Sequence, residues 1–156
     1  MILGESMQSL LALPNLEEVG VVTIRLVAAT VLGGLLGLTR EHQRKAAGLR
    51  THMLVALGAA TVVLAPRLAG MNSGDVSRVI QGVVTGIGFL GAGTILKTND
   101  EHQIHGLTTA ASVWVTAGIG VAAGVAPLWL AVASGAVAWV VLTPLALLER
   151  RIEKNR

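Results

Sequence analysis

Long apolar runs separated by short polar segments make up most of the chain from residue 21 onward. Three of these runs, residues 21–38, 52–69 and 79–96, are each 18 residues long. A helix of that length extends about 27 Å, close to the thickness of the hydrocarbon core of a bilayer. The last run, residues 107–148, contains no ionisable side chain and is about twice as long as one span requires.

This last run is predicted to form two helices, residues 107–125 and 128–148, because glycine and proline at Gly124–Pro127 permit a tight turn. The pattern therefore predicts an all-α integral membrane protein, a bundle of about five transmembrane helices within residues 21–148. Residues 1–20 are interpreted as an external segment that is either an amphipathic helix or disordered. They lack the basic start of a signal peptide, so no cleavage is expected.

Basic residues fall mostly on one predicted side of the membrane. With five spans, the loop after the first span, the connection after the third and the tail at residues 149–156 share that side. Their nine basic residues are Arg40, Arg44, Lys45, Arg50, Lys97, Arg150, Arg151, Lys154 and Arg156. The opposite side holds only Arg67 and Arg78. The positive-inside rule then predicts an external N-terminus and a cytoplasmic C-terminus in a bacterial inner membrane.

Composition supports a membrane protein and argues against several other classes. Hydrophobic residues make up 53% of the 156 residues and charged residues 13%, whereas a soluble domain carries about 25% charge. The net charge of +3 arises from loop residues between apolar runs, which indicates membrane topology rather than nucleic-acid binding. There is no cysteine, so neither a disulfide framework nor a thiol nucleophile is possible.

The third span contains a glycine pattern with two interpretations. In "GIGFLGAGTIL", Gly86, Gly88 and Gly91 have the spacing of a dinucleotide-binding turn. That turn requires an acidic residue about 20 positions further on, and residues 106–111 contain none, so no nucleotide cofactor is expected. The pattern is instead interpreted as part of a transmembrane helix.

Small residues recur at helical spacing in three spans and favour close helix packing. The glycines concerned are Gly82, Gly86 and Gly93 in the third span, Gly33 and Gly37 in the first, and Gly120 and Gly124 in the fourth. They predict tight packing, including a homo-oligomer with a dimer favoured. The alternative is a functional role, either a close helix crossing that lines a narrow pathway or a glycine-broken helix that exposes backbone carbonyls to an ion. The first interpretation is preferred.

Two similar stretches suggest an internal repeat. Residues 48–60 open the second span with G-L-R-T, and residues 106–118 open the fourth with G-L-T-T. Thr51 and Thr109 are the expected caps of these helices. An alternative is a site at this membrane face for an anion or a lipid headgroup. The candidate functional residues at this face are Arg40, Glu41, Arg50, Thr51, His52, Thr108 and Thr109. Those in the third span are Gly86, Gly88, Gly91 and Gly93.

Arg25 is a basic residue about one turn inside the first predicted span, an otherwise apolar run. Two interpretations are balanced: a functional intramembrane charge, or a side chain near the membrane surface that extends outward to water. No catalytic motif is present, and no two histidines have the spacing of a metal site on a helix, so neither an enzyme nor a bound metal is expected.

Three segments, "GLTREHQRKAAGLRTHMLVALGAA", "QGVVTGIGFLGAGTIL" and "HGLTTAASVWVTAGIG", closely resemble the MgtC/SapB family of bacterial inner-membrane proteins. The resemblance implies a non-enzymatic protein linked to growth at low magnesium and to virulence. It further implies regulatory contact with membrane complexes such as the rotary ATP synthase. MgtC carries a cytoplasmic domain after its membrane part, and here eight residues follow the last predicted span, as in the short SapB-like form or a truncated chain. The rival function is a small homo-oligomeric channel or transporter for Mg²⁺, K⁺ or H⁺.

Overall fold

A computed structural model describes residues 15–97 and 104–145 of the chain. Its elements are α1 (Leu16–His42), α2 (Leu49–Leu68), α3 (Ser73–Gly93), β1 (Leu96–Lys97), β2 (Ile104–His105), α4 (Leu107–Val125) and α5 (Leu128–Leu142). Helices α1 to α4 are long and apolar enough to cross a membrane, and α5 is a shorter apolar helix. The prediction of a multi-pass helical membrane protein is therefore confirmed at this level, whereas the orientation of the termini stays a prediction.

The first helix is longer than its apolar run. It begins at Leu16, five residues before the predicted span, because the Asn15 side chain accepts a hydrogen bond from the Glu17 amide at 3.1 Å. Glu17 and Glu18 in its first turn also interact favourably with the helix dipole. Part of the predicted external segment is therefore helical. Residues 1–14, the last three residues of the predicted fifth span and the tail at residues 149–156 lie outside the described part.

The third helix ends at Gly93, three residues before the predicted end of its span. Leu96 and Lys97 then pair in antiparallel register with His105 and Ile104, a β-hairpin that the hydrophobic pattern did not predict. Gly106 follows with φ +94°, and a Cβ at that position would overlap the Thr94 carbonyl oxygen. Only glycine suits this position, where the chain turns from the hairpin into α4.

The centre of the fold is a close association of α1, α2 and α4. A Cβ added at Gly33 would lie 2.6 Å from the His52 carbonyl oxygen, and one added at Gly37 would lie 2.8 Å from the Leu49 Cα. Gly120 and Gly124 of α4 meet the backbone and side chains of α2 in the same way, at Ala56, Ala59, Ala60 and Val63. Four of the seven glycines predicted to pack thus let three backbones approach closely, which favours dispersion contacts between membrane helices.

Helix α3 is peripheral by comparison. Ile87 and Gly91 are its buried residues, and Gly91 faces Ala110 of α4 with 3.6 Å between a Cβ built on Gly91 and the Ala110 Cβ. The other three glycines of the predicted packing set, Gly82, Gly86 and Gly93, have no neighbouring atom within 4 Å of an added Cβ. Within the described residues, the stripe that they form therefore contacts no other helix.

Candidate functional site

Five buried polar side chains gather where α1 ends and where α2 and α4 begin. This polar cluster consists of Arg40 from α1, His52 from α2, and Thr109, Ser112 and Thr116 from α4. None of the five is more than 3% exposed to solvent. Burying polar groups in this way is costly unless they form hydrogen bonds, so their partners decide what the cluster can do.

Arg40 connects α1 to two other helices. Its Nη2 donates to Thr109 Oγ1 at 2.9 Å, and its Nη1 donates to Gln43 Oε1 at 3.0 Å. Gln43 in turn donates from Nε2 to the carbonyl of Leu142 at 2.9 Å, at the end of α5. The Arg40 Nε is buried without a partner, and the salt bridge found within residues 15–97 and 104–145 joins Arg78 to Asp75 instead. The described residues therefore leave the Arg40 charge without a carboxylate.

His52 joins α2 to α4. Its Nδ1 lies 2.8 Å from the Gly48 carbonyl oxygen, and its Nε2 lies 3.2 Å from Ser112 Oγ. The Ser112 hydroxyl donates to the Thr109 carbonyl at 2.8 Å, and the Thr116 hydroxyl donates to the Ser112 carbonyl at 2.8 Å. The contacts run continuously from the start of α2 across α4 to Arg40.

Helix α2 is capped by a residue that precedes it in the chain. Glu41 Oε2 accepts a hydrogen bond from the Leu49 amide at 3.0 Å, and a Cβ at Gly48 would overlap that carboxylate oxygen. The helix therefore begins after a glycine and takes its acceptor from α1. The expectation that Thr51 and Thr109 cap their helices is wrong, because Gly48 and Gly106 are the N-cap residues and Thr109 accepts from Arg40.

The other candidates from the sequence are spread around this end of the bundle or lie away from it. Arg50, Thr51 and Thr108 are exposed beside the polar cluster. Of the α3 glycines, Gly91 contacts α4, whereas Gly86, Gly88 and Gly93 face open space. No three His, Asp or Glu side chains in the described ranges lie close enough together to hold a metal ion.

Sequence reasoning missed Gln43, Ser112 and Thr116. Thr109, Ser112 and Thr116 have the i, i+3, i+7 spacing that places residues on one face of a helix. A polar stripe in an otherwise apolar helix was the available signal. Gln43 gave no comparable signal, because its role depends on the end of α5 lying nearby.

At the opposite end of the bundle, two arginines bind the end of α4. Arg25 Nη1 lies 2.8 Å from the Ala123 carbonyl oxygen, 3.1 Å from that of Gly124 and 2.9 Å from that of Ala126. Arg67 Nη1 donates to the Val125 carbonyl at 3.1 Å. The last carbonyls of a helix have no intrahelical partner and carry its negative dipole end, so cations stabilise them. Arg25 thus stabilises the end of α4, whether or not it has a further role.

Comparisons with known proteins agree on one family. The model of a family described as the MgtC family matches residues 26–151. Protein SrpB of Synechococcus elongatus is 40% identical over 123 residues, which cover 72% of this chain and 67% of SrpB. Protein MgtC of Brucella abortus is 48% identical over 101 residues, covering 64% of this chain and 40% of that protein.

A third relative, the protein of Escherichia coli K12 named putative magnesium transporter YhiD, is 44% identical over 108 residues, covering 65% of this chain and 49% of YhiD. The chain thus spans less than half the length of Brucella MgtC and YhiD. No solved structure matches it.

Proposed function

The chain belongs to the MgtC family, and on that premise we propose that it is a non-enzymatic protein of the bacterial inner membrane that regulates other membrane proteins. In this proposal it supports adaptation to low magnesium by contact with its partners rather than by moving an ion. One observation carries the proposal: the interface of α1, α2 and α4 is closed by glycine and alanine packing and by a polar cluster at most 3% exposed.

A transport pathway needs polar or ionisable groups that line a wet route across the membrane. At one end of the α1–α2–α4 interface, a cation would meet the guanidinium of Arg40 without a carboxylate in the described residues. At the other end, the Arg25 and Arg67 side chains cover the carbonyls of α4. Both features disfavour a cation pathway through the middle of a single copy.

The outer face of α3 supports the partner-binding role. Phe89 is 80% exposed and Leu90 is 53% exposed, beside glycines that contact nothing within the described chain. Such a face allows a helix of another membrane protein to approach closely. The proposed partners are a second copy of the chain, with a dimer favoured, and membrane complexes such as the rotary ATP synthase that the family resemblance implies.

A second function, a small homo-oligomeric channel or transporter, is favoured by one specific observation. Gly82, Gly86 and Gly93 leave a strip of α3 backbone uncovered. If several copies assembled around these strips, the exposed backbone would line a path between them. The relative from Escherichia coli is named a putative magnesium transporter, which is consistent with this alternative.

Flux through proteoliposomes separates the two functions. The purified protein should give no flux of Mg²⁺, K⁺ or H⁺ above empty liposomes. The channel predicts instead a flux that Gly86→Leu blocks. Gly20→Leu is the matched control, because Gly20 is equally free of neighbours but lies on α1. A flux that is lost in Gly86→Leu and kept in Gly20→Leu would overturn the regulatory proposal.

A further inference from the structure

A cleft of about 510 Å³ opens at the end of the bundle opposite the polar cluster, where α1 begins and α2 ends. One wall is a face of α1 from Glu18 to Arg25, whose lining residues have the i, i+3, i+4, i+7 spacing that places side chains on one side of a helix. The other wall is the last part of α2, which contains Arg67. Four charged side chains therefore share this cleft, because Glu17 also lines it.

The opposite charges around the cleft do not pair with one another. The salt bridge found within residues 15–97 and 104–145 joins Arg78 to Asp75, so no contact of ion-pair length joins a glutamate of the cleft to an arginine of the cleft. Charged groups that are held apart around an open cleft can each bind the opposite charge of one ligand. The arrangement therefore suits a ligand that carries both an anionic and a cationic group.

Both arginines have donors beyond those that they use on α4. Each uses its Nη1 atom for the carbonyls at the end of that helix. A guanidinium carries five N–H donors, and among the described residues the Nε and Nη2 atoms of Arg25 and Arg67 have no acceptor. Arg67 is exposed and Arg25 is half-buried. Their remaining donors are suited to a phosphate, which a guanidinium binds through two parallel hydrogen bonds.

The two kinds of charge lie at different depths. Arg25 follows Glu18 by seven residues, or about 10 Å of helix, toward the middle of the bundle. Phospholipids with an ethanolamine headgroup present their charges in the same order, because the phosphate joins the glycerol and the ammonium is the outermost group. The lining also includes the aliphatic side chains of Val21, Val22 and Leu64, which suit the apolar part of a lipid next to its headgroup.

We propose that this cleft binds the headgroup of a zwitterionic phospholipid that has a primary ammonium, the chemistry of phosphatidylethanolamine. Arg25 and Arg67 bind the phosphate, and Glu17 and Glu18 accept hydrogen bonds from the ammonium. A primary ammonium has three N–H donors for these carboxylates, whereas the quaternary ammonium of a choline headgroup has none. The inference goes beyond the proposed regulatory function and does not depend on it, because it concerns lipid binding by a single copy of the chain.

The proposal is tested by comparing the affinities of two lipids for the purified full chain. Native mass spectrometry in detergent would measure binding of phosphatidylethanolamine and of phosphatidylglycerol with the same acyl chains. We expect phosphatidylethanolamine to bind about tenfold more tightly, because only its ammonium forms charged hydrogen bonds with the glutamates. Equal affinities, or a preference for phosphatidylglycerol, would overturn the proposal.

A soluble headgroup distinguishes a lipid from a free zwitterion. Glycerophosphoethanolamine has the same charges but no acyl chains, and it should bind more weakly than the lipid by a factor of about ten or more, because it buries less apolar surface. Binding as tight as that of phosphatidylethanolamine would show that the cleft takes a soluble ligand and would contradict the assignment to a lipid.

Replacement of the glutamates tests the source of the selectivity. Their side chains make no hydrogen bond with residues 15–97 and 104–145, so Glu17→Gln/Glu18→Gln removes charge without removing a described side-chain contact. The double variant should reduce the preference for phosphatidylethanolamine to about twofold or less. Asp75→Asn is the matched control, because Asp75 lies in the first turn of α3 outside the cleft and its loss should leave the preference unchanged.

Replacement of Arg67 tests the phosphate contact separately. Arg67→Gln should weaken the binding of both lipids by about tenfold, because both carry the phosphate. The glutamate variant supplies the test if Arg67→Gln fails to fold. A double glutamate variant that keeps the tenfold preference, or an Asp75→Asn variant that loses it, would contradict the proposal.

Discussion

Replacement of Arg25 by methionine measures how much the contact between Arg25 and α4 stabilises the bundle. Methionine keeps much of the length and apolar character of the side chain but removes every donor. The Nη1 atom that lies 2.8 to 3.1 Å from three carbonyl oxygens would be lost. Of the two arginine contacts described at the end of α4, only the bond from Arg67 to the Val125 carbonyl would then remain.

The expected loss of stability depends on how many of these three contacts are good hydrogen bonds. One guanidinium nitrogen carries two hydrogens, so it makes two good hydrogen bonds rather than three. A hydrogen bond to a charged group contributes about 1.5–3 kcal/mol in water-soluble proteins, and side-chain hydrogen bonds within membranes average about 0.6 kcal/mol. Arg25 is half-buried and close to one end of the bundle, between these two situations. We expect Arg25→Met to lower the free energy of unfolding by about 2–3 kcal/mol.

Equilibrium unfolding in mixed micelles, followed by circular dichroism, would measure this loss. Arg78→Met is the control, because Arg78 is exposed and pairs only with Asp75 one turn away. Such a change should alter stability by less than about 0.5 kcal/mol. Arg25→Lys should recover only part of the loss, since an ammonium is compact and has a shorter reach. Equal stabilities of Arg25→Met and Arg78→Met would refute the capping role and favour a side chain that extends to water.

Three further predictions concern packing, capping and topology. Gly120→Ala should destabilise the protein by about 2 kcal/mol or more in thermal unfolding, because the new Cβ would meet the Ala56 backbone. The control Gly118→Ala, on the same helix, has free space around the new Cβ and should be neutral or stabilising. Glu41→Gln should cost about 1 kcal/mol, because the charged acceptor of the Leu49 amide is lost, and should speed hydrogen exchange in the first turn of α2. Because the natural chain has no cysteine, Ala46→Cys and Met71→Cys can report topology, and an impermeant maleimide should label only Met71→Cys in intact cells. Labelling of Ala46→Cys alone would reverse the predicted orientation.

The helices could be predicted from the sequence because each apolar run has the length that a bilayer requires. The residues at which the helices begin and end could not be predicted, because polar contacts determine them. Asn15 extends α1 outward by its cap, and Arg40 lies within the last turn of α1 because Thr109 and Gln43 accept its hydrogens. Hydropathy treats these residues as loop, whereas Asn15 caps α1 through the Glu17 amide and Thr109 of α4 accepts from Arg40 in the last turn of α1.

The candidate site was only partly predictable for a similar reason. Arg40, Glu41, His52 and Thr109 were recognised as polar residues at one membrane face, and the structure brings Arg40, His52 and Thr109 into one buried group. Their burial could not be read from the sequence, since it depends on Gly33 and Gly37 letting α1 approach the start of α2. The same sequence pattern fits both an exposed set of polar residues at the membrane face and a buried polar cluster. Only the distance between the helices distinguishes the two arrangements.

The packing of Gly33 and Gly91 supports the internal repeat. Gly33 of α1 faces His52 at the start of α2, and Gly91 of α3 faces Ala110 at the start of α4. Gly91 and Ala110 each lie 58 positions after their counterparts Gly33 and His52, which is also the distance along the chain from Gly48 to Gly106. Helices α1 and α2 approach more closely than α3 and α4: the nearest atom to an added Cβ is 2.6 Å away at Gly33 and 3.6 Å away at Gly91. The counterpart of Gly37 in the second pair is Ile95, which is not a small residue. The pair formed by α3 and α4 is packed less closely, and the outer glycines of α3 therefore remain available for contact with another membrane helix.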